Sequence, residues 1–305
     1  MGDDAVEDME CMNSASWMQP VLASCARQRE RETWCKPSEA LLFMLNTIRV
    51  DDVNVLQALP DVASHPPVLF IHGYFVDATV WTTWLERFAS HGVPAYAVHL
   101  RGRAGSRPSV DLGRVSIEDF ADDATLVARH IGATAVVGHS MGGLIAQKVA
   151  ERGEAGAVVL ITPAPPRGIS VLSLPLALRQ LRYLPAILLS RPVQPGREDL
   201  RALVLNRVPV EEQQTLLDLM IPDSGRAGRD MSLTGVPVDA ERVKCPVLVV
   251  TAENDRFVPP HVVARVAERY GAPLLTIPAH GHMVVVEPGW EDLADRVERW
   301  IRDQA

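Results

Sequence analysis

Thr134-Ala135-Val136-Val137-Gly138-His139-Ser140-Met141-Gly142-Gly143 passes from a short apolar strand through a turn into the start of a helix. Its centre has the pattern G-x-S-x-G, in the strand–turn–helix setting that gives the pattern physical content. A serine held in so sharp a turn projects its hydroxyl beyond the sheet edge. Residues two positions to either side must then be small, and Gly138 and Gly142 meet that demand. The first turn of a helix has no internal acceptor for its N–H groups, so the Met141 amide is free to face developing negative charge. Ser140 is therefore a candidate nucleophile and Met141 a candidate oxyanion donor.

Outward from this turn, strand and helix patterns alternate. Val68-Leu69-Phe70-Ile71 is wholly apolar between prolines and His72-Gly73, as a strand buried on both faces requires. Residues 81–90 pattern as helix, 95–100 as strand, 117–131 as helix and 157–161 as strand. Ser116 and Asp119 are spaced as a capping box at the head of the 117–131 helix. After residue 165 the alternation stops, and helix-like stretches follow at 172–189, 197–207, 211–221 and 224–232. A plain loop of that length is uncommon in a compact fold, so residues 165–239 are expected to form a helical cap. Its nine arginines nearly balance eight acids, which leaves the acidic excess of the chain elsewhere. Strand pattern resumes at 247–251 and 274–277, with helices at 260–270 and 290–302. The whole predicts an α/β architecture with helices on both faces of a mostly parallel sheet.

A serine hydroxyl is a weak nucleophile without a base, and the base needs an orienting partner. Asp255 follows the strand at 247–251 and His282 follows the strand at 274–277, so both fall at the sheet edge that carries Ser140. Their order is Ser, Asp, His. His72-Gly73-Tyr74-Phe75 leaves the 68–71 strand at the same edge. Gly73 is expected to let the backbone turn tightly, so that the Tyr74 amide joins that of Met141 as an oxyanion hole, with Phe75 as the lesser candidate. His72 is read as a hydrogen-bonding support for this loop, His139 as packing against the sheet, and Asp77 as surface charge. Trp81 and Trp84 read as core. Met283 and residues 284–286 fit either an acyl pocket or plain packing.

With these motifs the chain resembles the α/β-hydrolase superfamily, in the branch of small bacterial esterases with a helical cap, over residues 65–303. The resemblance implies an α/β-hydrolase fold with the cap inserted after the sixth strand. It puts the nucleophile on Ser140, the acid on Asp255 and the base on His282 in preference to His280. The oxyanion loop falls on His72, Gly73 and Tyr74. One departure is visible. Many members of the family carry Arg-Gly-His-Gly-x-Ser where this chain has Arg101-Gly102-Arg103-Ala104-Gly105-Ser106. The implied activity is hydrolysis of carboxylic esters with an apolar acyl or alcohol part, with no cofactor and no metal. Thioester, lactone and carbon–carbon bond hydrolysis share the arrangement. Epoxide and haloalkane hydrolysis are disfavoured, because those relatives use an aspartate nucleophile. A non-catalytic small-molecule receptor on the same fold is the reading from a different class.

Acids outnumber bases 38 to 30, for a net charge of −8, which disfavours a protein that wraps nucleic acid. Cys11, Cys25, Cys35 and Cys245 lack metal-ligand spacing, and free thiols are expected. The acidic start is unlike a signal peptide, and arginines break the most apolar stretch, so a cytoplasmic protein with no stable membrane insertion is expected. A monomer or a homodimer is equally compatible. Residues 1–64 read as a partly ordered extension leading into the first sheet elements, with helix pattern at 17–31 and an apolar run at 38–48 of either type. Residues 65–164 and 240–305 then make up the core.

Overall fold

A computed structural model describes residues 45–108, 110–170, 179 and 181–304. The helix pattern at 17–31, the three N-terminal cysteines, the start of the 38–48 run and most of 171–180 lie outside the described residues. Residues 42–305 form one compact unit.

The described residues build an eight-stranded sheet from β1 (Asn46–Val50), β2 (Val53–Ala58), β3 (Val68–Ile71), β4 (Ala95–Val98), β5 (Ala135–His139), β6 (Ala157–Ile161), β7 (Val247–Ala252) and β8 (Leu274–Ile277). Their spatial order is β1-β2-β4-β3-β5-β6-β7-β8. Strands β3 to β8 are parallel, whereas β2 runs antiparallel to β1 and to β4. Among the described residues the sheet begins at Asn46, inside the stretch read as an extension that leads into the first sheet elements. Asp51-Asp52 closes the β1–β2 hairpin, with Asp51 at φ +52°, the left-handed conformation that two-residue hairpin turns require.

Period-two alternation divides the strands between two cores. Leu69 and Ile71 of β3 face one side, with α2 (Ile117–Ile131), α3 (Met141–Glu151) and α7 (Pro260–Tyr270). Val68 and Phe70 face the other, with α1 (Thr82–Ser90) and α8 (Trp290–Arg302). There Phe70 packs on Trp81 and Phe88 at ring separations of 5.1 and 5.0 Å. The Trp84 indole N–H donates to the Val285 carbonyl at 2.8 Å. Both tryptophans are fully buried. Helix α2 carries the full capping box, with Ser116 and Asp119 satisfying each other's amides, and ends on left-handed Gly132.

Between β6 and β7 the helical insertion is made of short pieces. They are α4 (Leu184–Leu188), a turn Arg197–Asp199 continuing as a π-turn Leu200–Val204, α5 (Val210–Asp218), and α6 (Gly225–Arg229) with a π-turn Asp230–Thr234. One antiparallel bridge, Val193 to Asp223, adds an extended element where the sequence shows no strand pattern. Among the described residues, no helix is long and apolar enough to cross a membrane.

Candidate active site

Strand β5 ends at His139 and α3 begins at Met141, so Ser140 alone absorbs the change of direction. It does so at φ +55° and ψ −118°, a conformation that costs on the order of 1–3 kcal/mol for a residue with a side chain. Close packing holds it there. A Cβ on Gly142 would stand 2.2 Å from the Ile71 carbonyl oxygen, and one on Gly138 would stand 2.2 Å from that of Gly142. The Ser140 amide donates to the Ile161 carbonyl at 3.0 Å, and the Ser140 carbonyl accepts from Ala164 at 2.9 Å. The elbow is therefore locked between β3 and β6 by main-chain contacts.

Asp255 and His282 meet Ser140 at this edge. His282 Nδ1 lies 2.8 Å from Asp255 Oδ2, and its Nε2 lies 2.9 Å from Ser140 Oγ. All three are buried. Asp255 Oδ1 accepts the Phe257 and Val258 amides, both at 2.8 Å, which fixes the plane of the carboxylate. A carboxylate at Nδ1 selects the tautomer protonated there, leaving the Nε2 lone pair for the serine hydroxyl. Phe257 packs edge-on against the imidazole at 5.1 Å. His280 points elsewhere, bonded to the carbonyls of Pro278 and Pro288.

His139 is buried, and its Nε2–H donates to the His282 carbonyl at 2.8 Å. Burial, then the nearby His282, pushes its pKa down to about 3, so it is a neutral buttress under the His282 loop. His72 is likewise held well below its usual range, first by burial and then by Arg103. Its Nδ1 lies 2.9 Å from the Gly73 carbonyl, and Leu100 donates to its Nε2 at 3.4 Å.

Gly73 does not take a left-handed conformation; the turn falls on Phe75, at φ +67°. What Gly73 provides is clearance, because a Cβ there would stand 3.2 Å from Ser140 Cβ. The Phe75 amide is bound to Asp223 Oδ2 at 2.9 Å. The amides of Tyr74 and Met141 have no protein acceptor among the described residues. Asp77 is also more than surface charge: its Oδ1 accepts from the Thr79 amide and hydroxyl at 2.9 and 2.5 Å.

Above the site, Leu200, Leu205, Val208 and Leu217 of the insertion pack with Met283 in a separate apolar cluster, against which Phe75 and Val286 lean. Val284 and Val285 belong instead to the core beneath the sheet. The residue after the imidazole and the residue after Tyr74 therefore both touch the apolar underside of the cap.

The model of the Alpha/beta hydrolase family matches residues 68–296. The chain belongs to that family. This α/β-hydrolase is 29% identical to a monoacylglycerol lipase of Mycolicibacterium smegmatis over 266 residues, 79% of this chain and 90% of that protein. A thermophilic esterase of known structure is 25% identical with a TM-score of 0.56, over 86% of this chain and 99% of its own. The fold is shared with an N-acyl homoserine lactonase complexed with N-hexanoyl homoserine, at 21% identity and TM-score 0.68, over 86% and 98% of the two chains.

Three contacts of the hydrolase with its cap were not legible from spacing. Asn206 donates to the Asn254 carbonyl at 3.0 Å, beside Asp255. Arg207 donates to the Ala279 carbonyl at 2.7 Å, in the loop that bears His282. Arg103 forms an ion pair with Asp223 in which neither side chain is exposed. Only Arg103 left a mark in the sequence, as the departure from the relatives' Arg-Gly-His-Gly-x-Ser.

Proposed function

We propose that this α/β-hydrolase cleaves carboxylic esters with an apolar acyl or alcohol part through an acyl-enzyme. The observation that carries the reading is the continuous hydrogen-bonded line from Asp255 through His282 to Ser140. Ser140 Oγ attacks the ester carbonyl while His282 Nε2 takes its proton. The oxyanion of the tetrahedral intermediate is received by the Tyr74 and Met141 amides, each worth about 2–4 kcal/mol in the transition state. Asp255 holds the tautomer and stabilises the imidazolium without accepting the proton. Collapse expels the alcohol, which takes the proton from His282. Water, deprotonated by the same nitrogen, then attacks the acyl-enzyme and releases the acid and Ser140. The apolar cluster above Met283 supports an apolar substrate part.

The parent and Ser140→Ala proteins, treated with a fluorophosphonate and measured by intact mass, test the reading. A single adduct on the parent and none on the variant is expected. A panel of nitrophenyl esters, thioesters and lactones then ranks the acyl chemistries. A folded parent that takes no adduct overturns the nucleophile assignment, and one that is acylated but never turns over points to a receptor.

A further inference from the structure

Arg103 is a fully buried guanidinium in the loop after β4. It lies over the Phe120 ring at 4.8 Å, donates from Nη1 to the Arg101 carbonyl at 3.0 Å and from Nε to the Val76 carbonyl at 3.3 Å, and pairs through Nη2 with Asp223. The same Asp223 oxygen accepts the Phe75 amide. The other oxygen accepts the Ser224 amide at 2.6 Å, and the Asp223 backbone exchanges two hydrogen bonds with Val193. The neighbours of Asp223 grip the same turn. Ile221 donates its amide to the Phe75 carbonyl at 2.9 Å, and the Tyr74 hydroxyl donates to the Ser224 carbonyl at 2.6 Å. Burial and the Asp223 charge hold that phenol well above its usual pKa, so it stays a donor.

Residues 74–76 are thus fixed by cap residues 221–224 and by Arg103, while Phe75 sits in a left-handed conformation that it would not hold unaided. The Tyr74 amide is one peptide upstream of the one that Asp223 binds. We propose that Arg103 and Asp223 are a positioning pair for the oxyanion loop. Through it the cap, and not the sheet, sets the Tyr74 amide against the developing oxyanion. The proposal rests on the serine-hydrolase reading above. The guanidinium reaches both the loop and a cap carboxylate. An aspartate buried without it would be an uncompensated charge.

Asp223→Ala alone strands the Arg103 charge and endangers folding, so the decisive comparison uses a neutral background. Arg103→Met/Asp223→Asn keeps one acceptor oxygen where the carboxylate had two, enough for the Phe75 or the Ser224 amide but not both; Arg103→Met/Asp223→Ala removes both. The asparagine double variant, which keeps an acceptor but lacks the guanidinium, should lose several-fold in kcat on a nitrophenyl ester, less than the alanine double variant. The alanine double variant should lose about 10- to 100-fold in kcat, comparable to part of an oxyanion donor, with KM nearly unchanged. Its affinity for a trifluoromethyl ketone, whose serine adduct places an oxyanion in the same hole, should fall in the same proportion. Equal kcat in two folded double variants, or a loss confined to KM, overturns the proposal while leaving the triad reading intact. If the alanine variant does not fold, the asparagine variant decides: kcat down several-fold or more with KM nearly unchanged supports the pair, and parental kcat overturns it. A folded parent with no ester turnover removes both readings together.

Discussion

The Ser140 elbow and the loop of Tyr74 and Phe75, the proposed nucleophile turn and oxyanion loop, leave neighbouring strands, β5 and β3, yet they are held by different means. The elbow is gripped by the sheet itself: Ser140 exchanges main-chain bonds with Ile161 and Ala164, and Gly142 abuts the Ile71 carbonyl. The oxyanion loop leans outward onto Ile221, Asp223 and Ser224 of the insertion. One half of the site is thus intrinsic to the core, and the other depends on a segment that is made of short helices and polar ties. A mutation's effect should therefore depend on which half it touches.

The largest expected effect lies in the core half. Ser140→Ala should cut kcat by about 10⁵- to 10⁶-fold, and Asp255→Asn by about 10⁴-fold through loss of the tautomer. Because an asparagine oxygen can still accept the Phe257 and Val258 amides, the Asp255→Asn melting temperature should barely move. Activity against a nitrophenyl ester, with a thermal melt on each variant, checks both statements. A large drop in melting temperature for Asp255→Asn would show that the carboxylate is structural.

Gly142→Ala sharpens the contrast from the side of stability. Its Cβ would collide with backbone that has no room to yield, so a loss of about 2–3 kcal/mol in denaturant titration is expected. A loss under about 0.5 kcal/mol would show that β3 and the elbow can separate, and that the core half is no more rigid than the loop.

Acid should weaken the core half through His139. Its pKa is about 3 in the fold and about 6.5 in an unfolded chain, so between those values the unfolded chain takes up a proton that the folded one refuses. Stability is complete above about pH 6.5 and is lost as the pH falls toward 3, with about 2–3 kcal/mol gone near pH 4.5. Denaturant titrations at pH 7 and 4.5 measure the loss. His139→Gln, which can still donate to the His282 carbonyl, should flatten it; an unchanged slope in that variant would sink the assignment.

The smallest effect belongs to the cap half. Each methylene added to the acyl chain should raise kcat/KM by about fourfold, until the cluster of Leu200, Leu205, Val208, Leu217 and Met283 is filled. Steady-state kinetics on a series of nitrophenyl esters reads this. A flat series would place the acyl chain away from the cap.

The same division governs what could be read from the sequence. Ser140 and Asp255 could be placed because each lies shortly past a strand buried throughout, which announces itself as an apolar run, whereas His282 follows the short, half-exposed Leu274–Ile277 and is marked mainly by its place after the last strand. The β1–β2 hairpin was harder. Asn46–Val50 is half exposed and ends in Asp51-Asp52, so its apolar signal is thin. The Phe75 turn looked like the work of Gly73, since glycine is the usual residue for a tight turn; packing against Ser140 claims Gly73 for another purpose. Arg103 stands out only as a departure from the family pattern, and nothing in the sequence points to Asp223 as its partner. Neither residue has a neighbour in sequence that reveals it will be dehydrated.

Recombination is where the buried guanidinium has its widest consequence. In many folds an insertion is a module, exchangeable between homologues so long as its ends fit. Here Arg103 belongs to the core and its counter-charge to the insertion, so a chimera that takes its cap from a donor without an acid at the position of Asp223 receives an unpaired cation under that cap. Core and cap can change hands only together, or in the rare order in which both charges are lost at once.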